Sequence, residues 1–491
     1  MIMKTKNIIL CEVIGWAFIV FSAIPSYLMT VPNNCSIISR FNIVENPWSS
    51  ALLIAGLALV SVGSFFILKD YFDAKEGEQK VNKKLIFFLL AAAFVAVPFN
   101  NHDINFYFSA GKMAASGVSM YTDNWSMTNQ FYCPPSNSSI NGIPYGPIAV
   151  SLFKYLYLFV NGNVANFILI WKILMGLCFV GSIFLAEMIA SILNNKLNKA
   201  AFYLLWFSQP IILWEGFANG HFDVWLNTLV LLSILFSLKK KWWLVIVCLF
   251  IGIWIKFIPL LMFPWFALWW YQGINKDNWK KMLSEASLGL VASLFITIIS
   301  WQPHWKGWQV FSPIILQTKW AVTSIFSVIY YSLVGTFQYF LHADAHWYLT
   351  RLVQFSLLAL MIYLLYPLIR DVWLIIIRKK VGDGNFFIRA IFVSLLVYVA
   401  VWQKSFWPWY MVWLLPLGLL AFQENSSIFF KKILIWLNIM PLIFYPIWLL
   451  NHFVRHTDAP GELWFWYVVV GLVMVYPLYQ LYQWRKKGFS Q

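Results

Sequence analysis

The chain has 491 residues, of which 61% are hydrophobic and 11% are charged, and its mean hydropathy is +0.70. Soluble domains are about 45–50% apolar and about 25% charged, so this composition excludes an ordinary soluble domain. A net charge of +16 would suit a nucleic-acid-binding protein, but the basic residues form short clusters between apolar runs, which excludes that class. The composition predicts an all-α polytopic membrane protein.

Apolar runs separated by charged residues predict about 12–14 transmembrane helices, because one span needs roughly 20 mostly apolar residues. The fourteen runs lie near 8–30, 50–68, 85–98, 167–191, 200–214, 223–238, 242–256, 257–272, 284–301, 347–369, 389–404, 408–423, 433–450 and 464–484. Several are short for a straight span. The two runs on either side of Lys256–Pro259 are also compatible with one broken helix.

The distribution of lysine and arginine predicts the orientation in the membrane. With both termini in the cytoplasm, 25 of the 35 basic residues fall in cytoplasmic segments and seven in outer segments. This orientation predicts a multi-pass protein of the plasma membrane. It also leaves two long outer loops, 99–166 and 302–346, which are too aromatic for disorder and are expected to form an extracytoplasmic head. The predicted fold includes amphipathic loop helices, because 104–116 looks helical and 147–160 is an amphipathic run.

The first candidate cluster follows the third predicted span. His102 and Asp103 precede a segment with helical periodicity that contains Tyr107. A carboxylate at the membrane boundary can act as a general base towards a sugar hydroxyl. The alternative is an N-cap, since an aspartate at this position accepts hydrogen bonds from the first free amides of a helix. The two roles are compatible.

The second cluster joins two predicted spans at the outer face and contains Glu215, Asn219, His221 and Asp223. Glycines at 216 and 220 allow a tight turn there. The two carboxylates and the imidazole are suited to sugar hydroxyls, to a phosphate bound by His221, or to a divalent cation. Polar residues in such a hairpin also serve only to satisfy backbone groups, and that alternative stays open.

The third and fourth clusters place a lysine beside proline and aromatic residues. Lys256 lies in an apolar run three residues before Pro259, where a phosphate would be a natural counter-ion and snorkelling is the alternative. Lys404 precedes Trp409 and Tyr410, whose rings can stack on a sugar while the lysine meets a phosphate. An ordinary interfacial aromatic belt is the alternative for this segment. His304 and Arg351 are secondary candidates.

Taken in order, these clusters resemble the integral-membrane GT-C glycosyltransferases, which implies a GT-C-like fold. Among them they are most similar to the polyprenyl-phosphate-mannose-dependent mannosyltransferases of the GT87 or DUF2029 family. The resemblance covers roughly residues 85–425 and rests on the ordered set of motifs. These are Asp103 with Tyr107, Gly117 and Met120-Tyr121; Tyr145-Gly146-Pro147; Glu215 with Asn219-Gly220-His221-Phe222-Asp223; Lys256-Phe257-Ile258-Pro259; and Pro408-Trp409-Tyr410.

The sequence departs from that family's pattern at one place. Relatives often carry a histidine just before Pro-Trp-Tyr, and Phe406 and Trp407 stand there in this chain. The resemblance divides the chain into an N-terminal hairpin (1–84), a catalytic transmembrane core (85–425) and a C-terminal hairpin (426–491).

The resemblance implies an inverting transfer of a sugar, with mannose favoured, from a polyprenyl-phosphate donor to a hydroxyl of a lipid or glycan acceptor outside the cytosol. In that scheme Asp103 is the base, and Lys256, His221 or Lys404 bind the departing phosphate. Glu215, Asn219, Asp223, Tyr107, Trp409 and Tyr410 would position the sugar or a cation. No metal is assigned, although a divalent cation is left open.

Other classes of protein fit the composition less well. A transporter or lipid flippase predicts charges at mid-membrane and repeated halves, whereas the charges here gather at one face. Related activities, namely protein O-mannosyltransferase and lipid A aminosugar transferase, stay open. Protein-acceptor enzymes often pair Asp with Glu in the first loop, whereas Asp103 is followed by Ile104.

Overall fold

A computed structural model describes most of the chain. The described residues are 5–28, 46–73, 83–98, 102–129, 136–193, 202–203, 206–275, 277–313, 324–337, 343–378, 382–403, 406–421, 428–455 and 468–487. They fold almost entirely into helices, which confirms the prediction of an all-α membrane protein. The chain divides into two compact units, one formed by 1–266 with 273–317 and the other by 267–272 with 318–491.

The first unit contains helices and the one β-hairpin that is found among the described residues. Its elements are α1 (Thr5–Phe21), α2 (Ala23–Leu28), α3 (Pro47–Asp73), α4 (Lys83–Val95), α5 (His102–Ala115), β1 (Asn124–Asn129), β2 (Ser136–Asn141), α6 (Pro147–Phe159), α7 (Val164–Leu193), α8 (Pro210–Ala218), α9 (Asp223–Leu238), α10 (Trp242–Ile253), a 3₁₀ turn (Ile258–Met262), α11 (Phe263–Gly273, with 267–272 in the second unit), α12 (Trp279–Trp301) and a 3₁₀ turn (Trp308–Phe311).

All elements found among the described residues of the second unit are helices or helical turns. Its elements are α13 (Ile325–Phe337), α14 (Ala343–Arg378), α15 (Gly384–Val397, continued by a π-helical turn Tyr398–Trp402), a 3₁₀ turn (Pro408–Tyr410), α16 (Met411–Ala421), α17 (Ile428–Ile439), a 3₁₀ turn (Met440–Ile443), α18 (Phe444–Arg455) and a π-helical turn (Gly471–Val475) leading into α19 (Tyr476–Lys487).

Seven helices within the described residues are long and apolar enough to cross a membrane. They are Asn7–Pro25, Pro47–Lys69, Val164–Leu193, Trp279–Trp301, Tyr348–Ile377, Gly384–Trp402 and Ile428–Leu450. The pair α8 and α9 would make an eighth span, but it bends by 113°. Other runs predicted as spans, such as 242–256 and 408–423, contain shorter apolar helices in the described residues, Trp242–Ile253 and Pro408–Ala421.

Glycines bring α1 and α3 into close contact. A Cβ atom on Gly56 would lie 2.7 Å from the carbonyl oxygen of Gly15, and one on Gly15 would lie 2.6 Å from Val60. Helices in membranes associate through small residues that let their backbones approach. The first two spans therefore form a tight pair whose separation depends on these two glycines.

The described residues of the predicted loop 99–166 pack around an aromatic core. The loop was predicted to carry two helices, and α5 and α6 are these two helices. The ring of Tyr107 in α5 stacks on Phe153 in α6 with centroids 4.8 Å apart, and it contacts Trp171 in α7 at 5.1 Å. The hairpin β1–β2, which pairs Asn124 with Asn141, was not predicted, because its Asn- and Ser-rich strands have low β propensity.

Candidate functional site

Helix α5 carries the first candidate residues. His102 is its first residue, and Asp103 lies in its first turn, where a carboxylate is favoured by the helix dipole. The side chain of Asp103 reaches across to the turn between α8 and α9, because its Oδ2 atom lies 2.9 Å from Nδ1 of His221. Asp103 therefore joins two segments that are more than 100 residues apart in the sequence.

The π-helical part of α8 and the turn after it present the second cluster. Residues 213–218 form a π-helical turn, a widened geometry that is frequent at functional sites. Within it, Oε2 of Glu215 accepts hydrogen bonds from Nδ2 of Asn219 at 3.2 Å and from Nε2 of His221 at 3.3 Å. Gly220 has φ +69°, a left-handed conformation that glycine adopts without strain and that turns the chain towards α9.

His221 is the bridge between two carboxylates. Its two ring nitrogens face Asp103 and Glu215, so both donate when the imidazole is protonated. Burial lowers the pKa of His221, but the two carboxylates raise it by more, to about 10. His221 is therefore protonated at neutral pH, and it fixes the direction in which Asp103 points.

A second ion pair lies beside this chain. The Nζ atom of Lys256 is 2.8 Å from Oδ1 of Asp223, the first residue of α9. Lys256 follows the end of α10 at Ile253 and precedes the 3₁₀ turn that begins at Ile258. The expected helix break before Pro259 is present, and it brings the lysine to the start of α9.

Aromatic rings connect the two charged groups. Phe222 contacts the ring of Tyr107 at 5.4 Å and lies under Nζ of Lys256 at 5.5 Å. Burial raises the pKa of Tyr107 well above its usual value, and the nearby charges of Asp103 and Asp223 raise it further. Because Phe222 contacts both Tyr107 and Lys256, the two ion pairs lie side by side in one site.

The loop after β2 closes this site from another side. The amide of Gly146 donates to the carbonyl of Ile255 at 3.0 Å, and the amide of Ile148 donates to that of Trp254 at 3.1 Å. A Cβ atom on Gly146 would lie 2.0 Å from the Trp254 oxygen, so only glycine fits there. The neighbouring Tyr145 contacts Phe222 at 4.7 Å. The Tyr145-Gly146-Pro147 motif therefore holds the segment that carries Lys256.

The charged residues of the site differ sharply in exposure. Among the carboxylates, the side chain of Asp103 is 21% exposed, whereas those of Glu215 and Asp223 are 0% and 1% exposed. Lys256 is 16% exposed. The surface that a substrate can reach therefore combines one carboxylate and one ammonium group, and each is oriented by a buried partner.

Three other candidates belong to the second unit. Trp409 and Tyr410 belong to the second unit, where Trp409 stacks on Trp407 at 4.9 Å and Tyr410 accepts a hydrogen bond from Gln403 at 3.3 Å. Arg351, also in the second unit, is exposed and bonds Gln354. Lys404 lies outside the described residues.

His304 lies after α12 and packs edge-on against Tyr121 at 5.7 Å. Burial lowers its pKa to about 4, and nearby Lys154 contributes to the effect. His304 is therefore neutral at physiological pH, unlike His221. Among the described residues, no group of three His, Cys, Asp or Glu side chains is arranged to hold a metal ion.

Two residues of α7 were not singled out from the sequence. Trp171 donates from Nε1 to the carbonyl of Gly220 at 2.6 Å, inside the turn that carries His221. Lys172 donates from Nζ to the carbonyls of Phe94 and Ala96, at the end of α4. The signal for Lys172 was present, because a lysine in a long apolar helix is costly unless it has a role.

The fold defines an all-α, multi-pass membrane protein, in which two ion pairs lie beside aromatic rings. Residues 12–272, more than half of the chain, match the family model of the alpha-(1->6)-mannopyranosyltransferase N-terminal domain, the MptA_B family. The chain belongs to this family. The narrower likeness to GT87 or DUF2029 is not confirmed. No curated protein matches the chain.

Proposed function

We propose that this protein transfers mannose from a polyprenyl-phosphate donor to a hydroxyl of a lipid-linked or cell-envelope glycan, at the extracytoplasmic face of the plasma membrane. Membership of a mannosyltransferase family supports mannosyl transfer. What we propose beyond the family is the polyprenyl-phosphate donor, the glycan acceptor and the extracytoplasmic side of the membrane. The family's description suggests that the accepting group is a 6-hydroxyl of mannose, and that the product is an α linkage.

The contrast in exposure between Asp103 and the two other carboxylates carries this proposal. A general base must come within hydrogen-bond reach of the proton that it removes. Glu215 and Asp223 are buried, so a hydroxyl that enters the site meets Asp103 first. The bond from His221 holds Asp103 in one orientation, and preorganisation of this kind keeps the base aligned with the hydroxyl.

In the proposed reaction, Asp103 accepts the proton of the acceptor hydroxyl as its oxygen attacks the anomeric carbon. The bond between that carbon and the phosphate oxygen breaks on the opposite face, so the configuration inverts. The electron pair of the broken bond goes to the polyprenyl phosphate. Its new negative charge is stabilised by the ammonium of Lys256, which acts strongly in a site of low dielectric.

Glu215, Asn219 and His221 support the base without reaching the substrate. His221 is 7% exposed and already bonds two carboxylates, which favours positioning over phosphate binding. Asp223 orients Lys256 in the same way. The site then contains two pairs of the same kind. The buried His221 orients the partly exposed Asp103, and the buried Asp223 orients the partly exposed Lys256.

The test is mannose transfer by purified protein in detergent from a short-chain polyprenyl-phosphate mannose to a synthetic α-mannoside. Asp103→Asn keeps the size of the side chain and removes the base, and a general base contributes about 10²–10⁴-fold to rate. We expect a loss in that range. The matched control is Asp277→Asn, at an exposed aspartate between α11 and α12.

An active wild type and an inactive Asp103→Asn variant would support the proposal. A variant with full activity would remove Asp103 from the role of base. Failure of the wild-type protein to consume the donor would overturn the proposed function, and transport of the intact lipid would then be measured in vesicles.

A further inference from the structure

Lys172 is a buried lysine within the apolar span α7. It is 5% exposed, and its Nζ atom donates to the carbonyl of Phe94 at 2.8 Å and to that of Ala96 at 2.6 Å. Within the described part of the chain, no carboxylate forms an ion pair with it. An ammonium group in this position is costly, so its contacts must contribute to structure or function.

The carbonyls that Lys172 binds lie at the exit of α4. The last carbonyls of a helix have no partner within it, and a cation there also interacts favourably with the helix dipole. From this exit the chain runs on to α5, where Asp103 lies seven residues after Ala96. Lys172 therefore binds the chain at the point where it leaves α4 towards the segment that carries the base.

The preceding residue of α7 holds the other half of the site. Trp171 is fully buried and donates to the carbonyl of Gly220, the residue before His221. A Cβ atom on Gly220 would lie 3.1 Å from Cδ1 of Trp171 and 3.1 Å from the side chain of Ile104. The turn at Gly220 therefore packs between Trp171 and Ile104, the residue that follows Asp103.

We propose that Trp171 and Lys172 are a positioning pair, in which adjacent residues of one rigid helix fix the two segments that bring Asp103 and His221 into contact. This inference rests on the proposed function for its effect on rate. Neither residue touches the substrate in this proposal. A shift of about 1 Å in a reacting group can cost about 10²-fold in rate, so a loosened segment would be visible in kcat.

The first test compares Lys172→Met with the wild type. The substitution removes an isolated buried charge, so the protein is expected to stay folded, while the carbonyls at the exit of α4 lose their donor. We expect kcat to fall about 10–100-fold with the KM for the polyprenyl-phosphate donor within about twofold. Trp171→Phe, which removes the bond to Gly220, is expected to act in the same direction.

The controls are matched in chemistry. Trp242→Phe removes an indole N–H that has no hydrogen-bond partner among the described residues, at a tryptophan that is also buried. Lys281→Met removes an exposed lysine near the start of α12. Both are expected to keep kcat within about twofold of the wild type. If Lys172→Met and Trp171→Phe also stay within that range, the positioning pair is overturned.

A second test does not depend on activity. His221 is faced by Asp103 and Glu215, with Tyr107 and Asp223 nearby, and its contact with Asp103 stabilises the protein until His221 deprotonates. The wild type is expected to lose thermal stability at alkaline pH as His221 deprotonates, and His221→Asn should lack this loss. In Lys172→Met the same loss is expected at a pH about one unit lower than in the wild type. If the pH profile of thermal stability is the same in Lys172→Met as in the wild type, the positioning pair is contradicted. If the wild type transfers no mannose, only the proposed function is overturned, because this test does not measure activity.

Discussion

The ammonium of Lys256 lies 2.8 Å from Oδ1 of Asp223, and the two partners differ in exposure, at 16% for the lysine and 1% for the aspartate. The buried carboxylate directs the ammonium, while the ammonium keeps surface that a phosphate can contact. Because of this asymmetry, the two roles of the pair can be measured separately. The buried Asp223 needs its cation for stability, whereas the ammonium of Lys256 acts on the phosphate in the proposed reaction.

Lys256→Met is expected to lower both stability and mannose transfer. Removal of one partner leaves Asp223 buried without its cation, which costs about 3–5 kcal/mol. Loss of charge stabilisation at the departing phosphate costs about 10²–10³-fold in kcat. Thermal unfolding and initial rates measure the two effects.

The double variant Lys256→Met with Asp223→Asn separates these effects. It removes the unpaired charge, so most of the lost stability is expected to return while the rate stays low. Recovery of the rate together with stability would show that Lys256 only balances Asp223.

A second prediction concerns alkaline pH. The pKa of His221 is raised from 6.5 to about 10 by Asp103 and Glu215, against the effect of burial. A raised pKa in the folded state adds stability that is complete below the unfolded value of 6.5 and is lost as pH rises through about 10. The wild-type protein is therefore expected to unfold at progressively lower temperatures between about pH 6.5 and 10.

The measurement is thermal unfolding in detergent across that pH range, with His221→Asn as the reference. Asparagine cannot carry the positive charge, so this variant is expected to be less stable than the wild type near neutral pH. Its unfolding temperature should also lack the decrease at alkaline pH that deprotonation of His221 causes. Identical pH profiles for the two proteins would contradict the bridge between the two carboxylates.

Much of the site could be predicted from the sequence, because polar residues among apolar ones are informative in a membrane protein. The stretch from Asn219 to Asp223, between two apolar runs, predicted a turn, and Lys256 before Pro259 predicted a helix break. Both are present. The resemblance grouped these residues with Asp103, and the structure brings them together.

Other features had no local signal. The bond between Asp103 and His221 joins positions 118 residues apart, and periodicity cannot report such a contact. The π-helical turn at Leu213–Ala218 was not predicted from the sequence. The exit of α4 is bound by a lysine 76 residues later, which only the folded chain reveals.

A third prediction tests the backbone of the site. Gly146→Ala is expected to destabilise the protein by about 1–3 kcal/mol, since the new methyl group would meet the Trp254 oxygen at 2.0 Å. The loop would move away from the segment carrying Lys256, and transfer should fall as well. Gly181→Ala, where an added Cβ atom meets nothing within 4 Å, is the control in α7 and should be neutral or slightly stabilising. Equal unfolding temperatures for the two variants would show that the loop does not depend on this contact.

The last prediction separates the base from its support. Glu215 is fully buried and touches His221, so Glu215→Gln keeps a hydrogen-bond acceptor for the imidazole but removes a charge. We expect a loss of about 10-fold in kcat, which is smaller than the loss in Asp103→Asn, with the KM for the donor unchanged. Because the imidazolium also loses one of its two carboxylates, the alkaline transition of thermal stability should shift to lower pH. Initial rates and unfolding temperatures from pH 6 to 10 measure both effects. If Glu215→Gln abolishes transfer as fully as Asp103→Asn while the alkaline transition stays in place, Glu215 acts on the substrate itself and the assignment of the base must move to it.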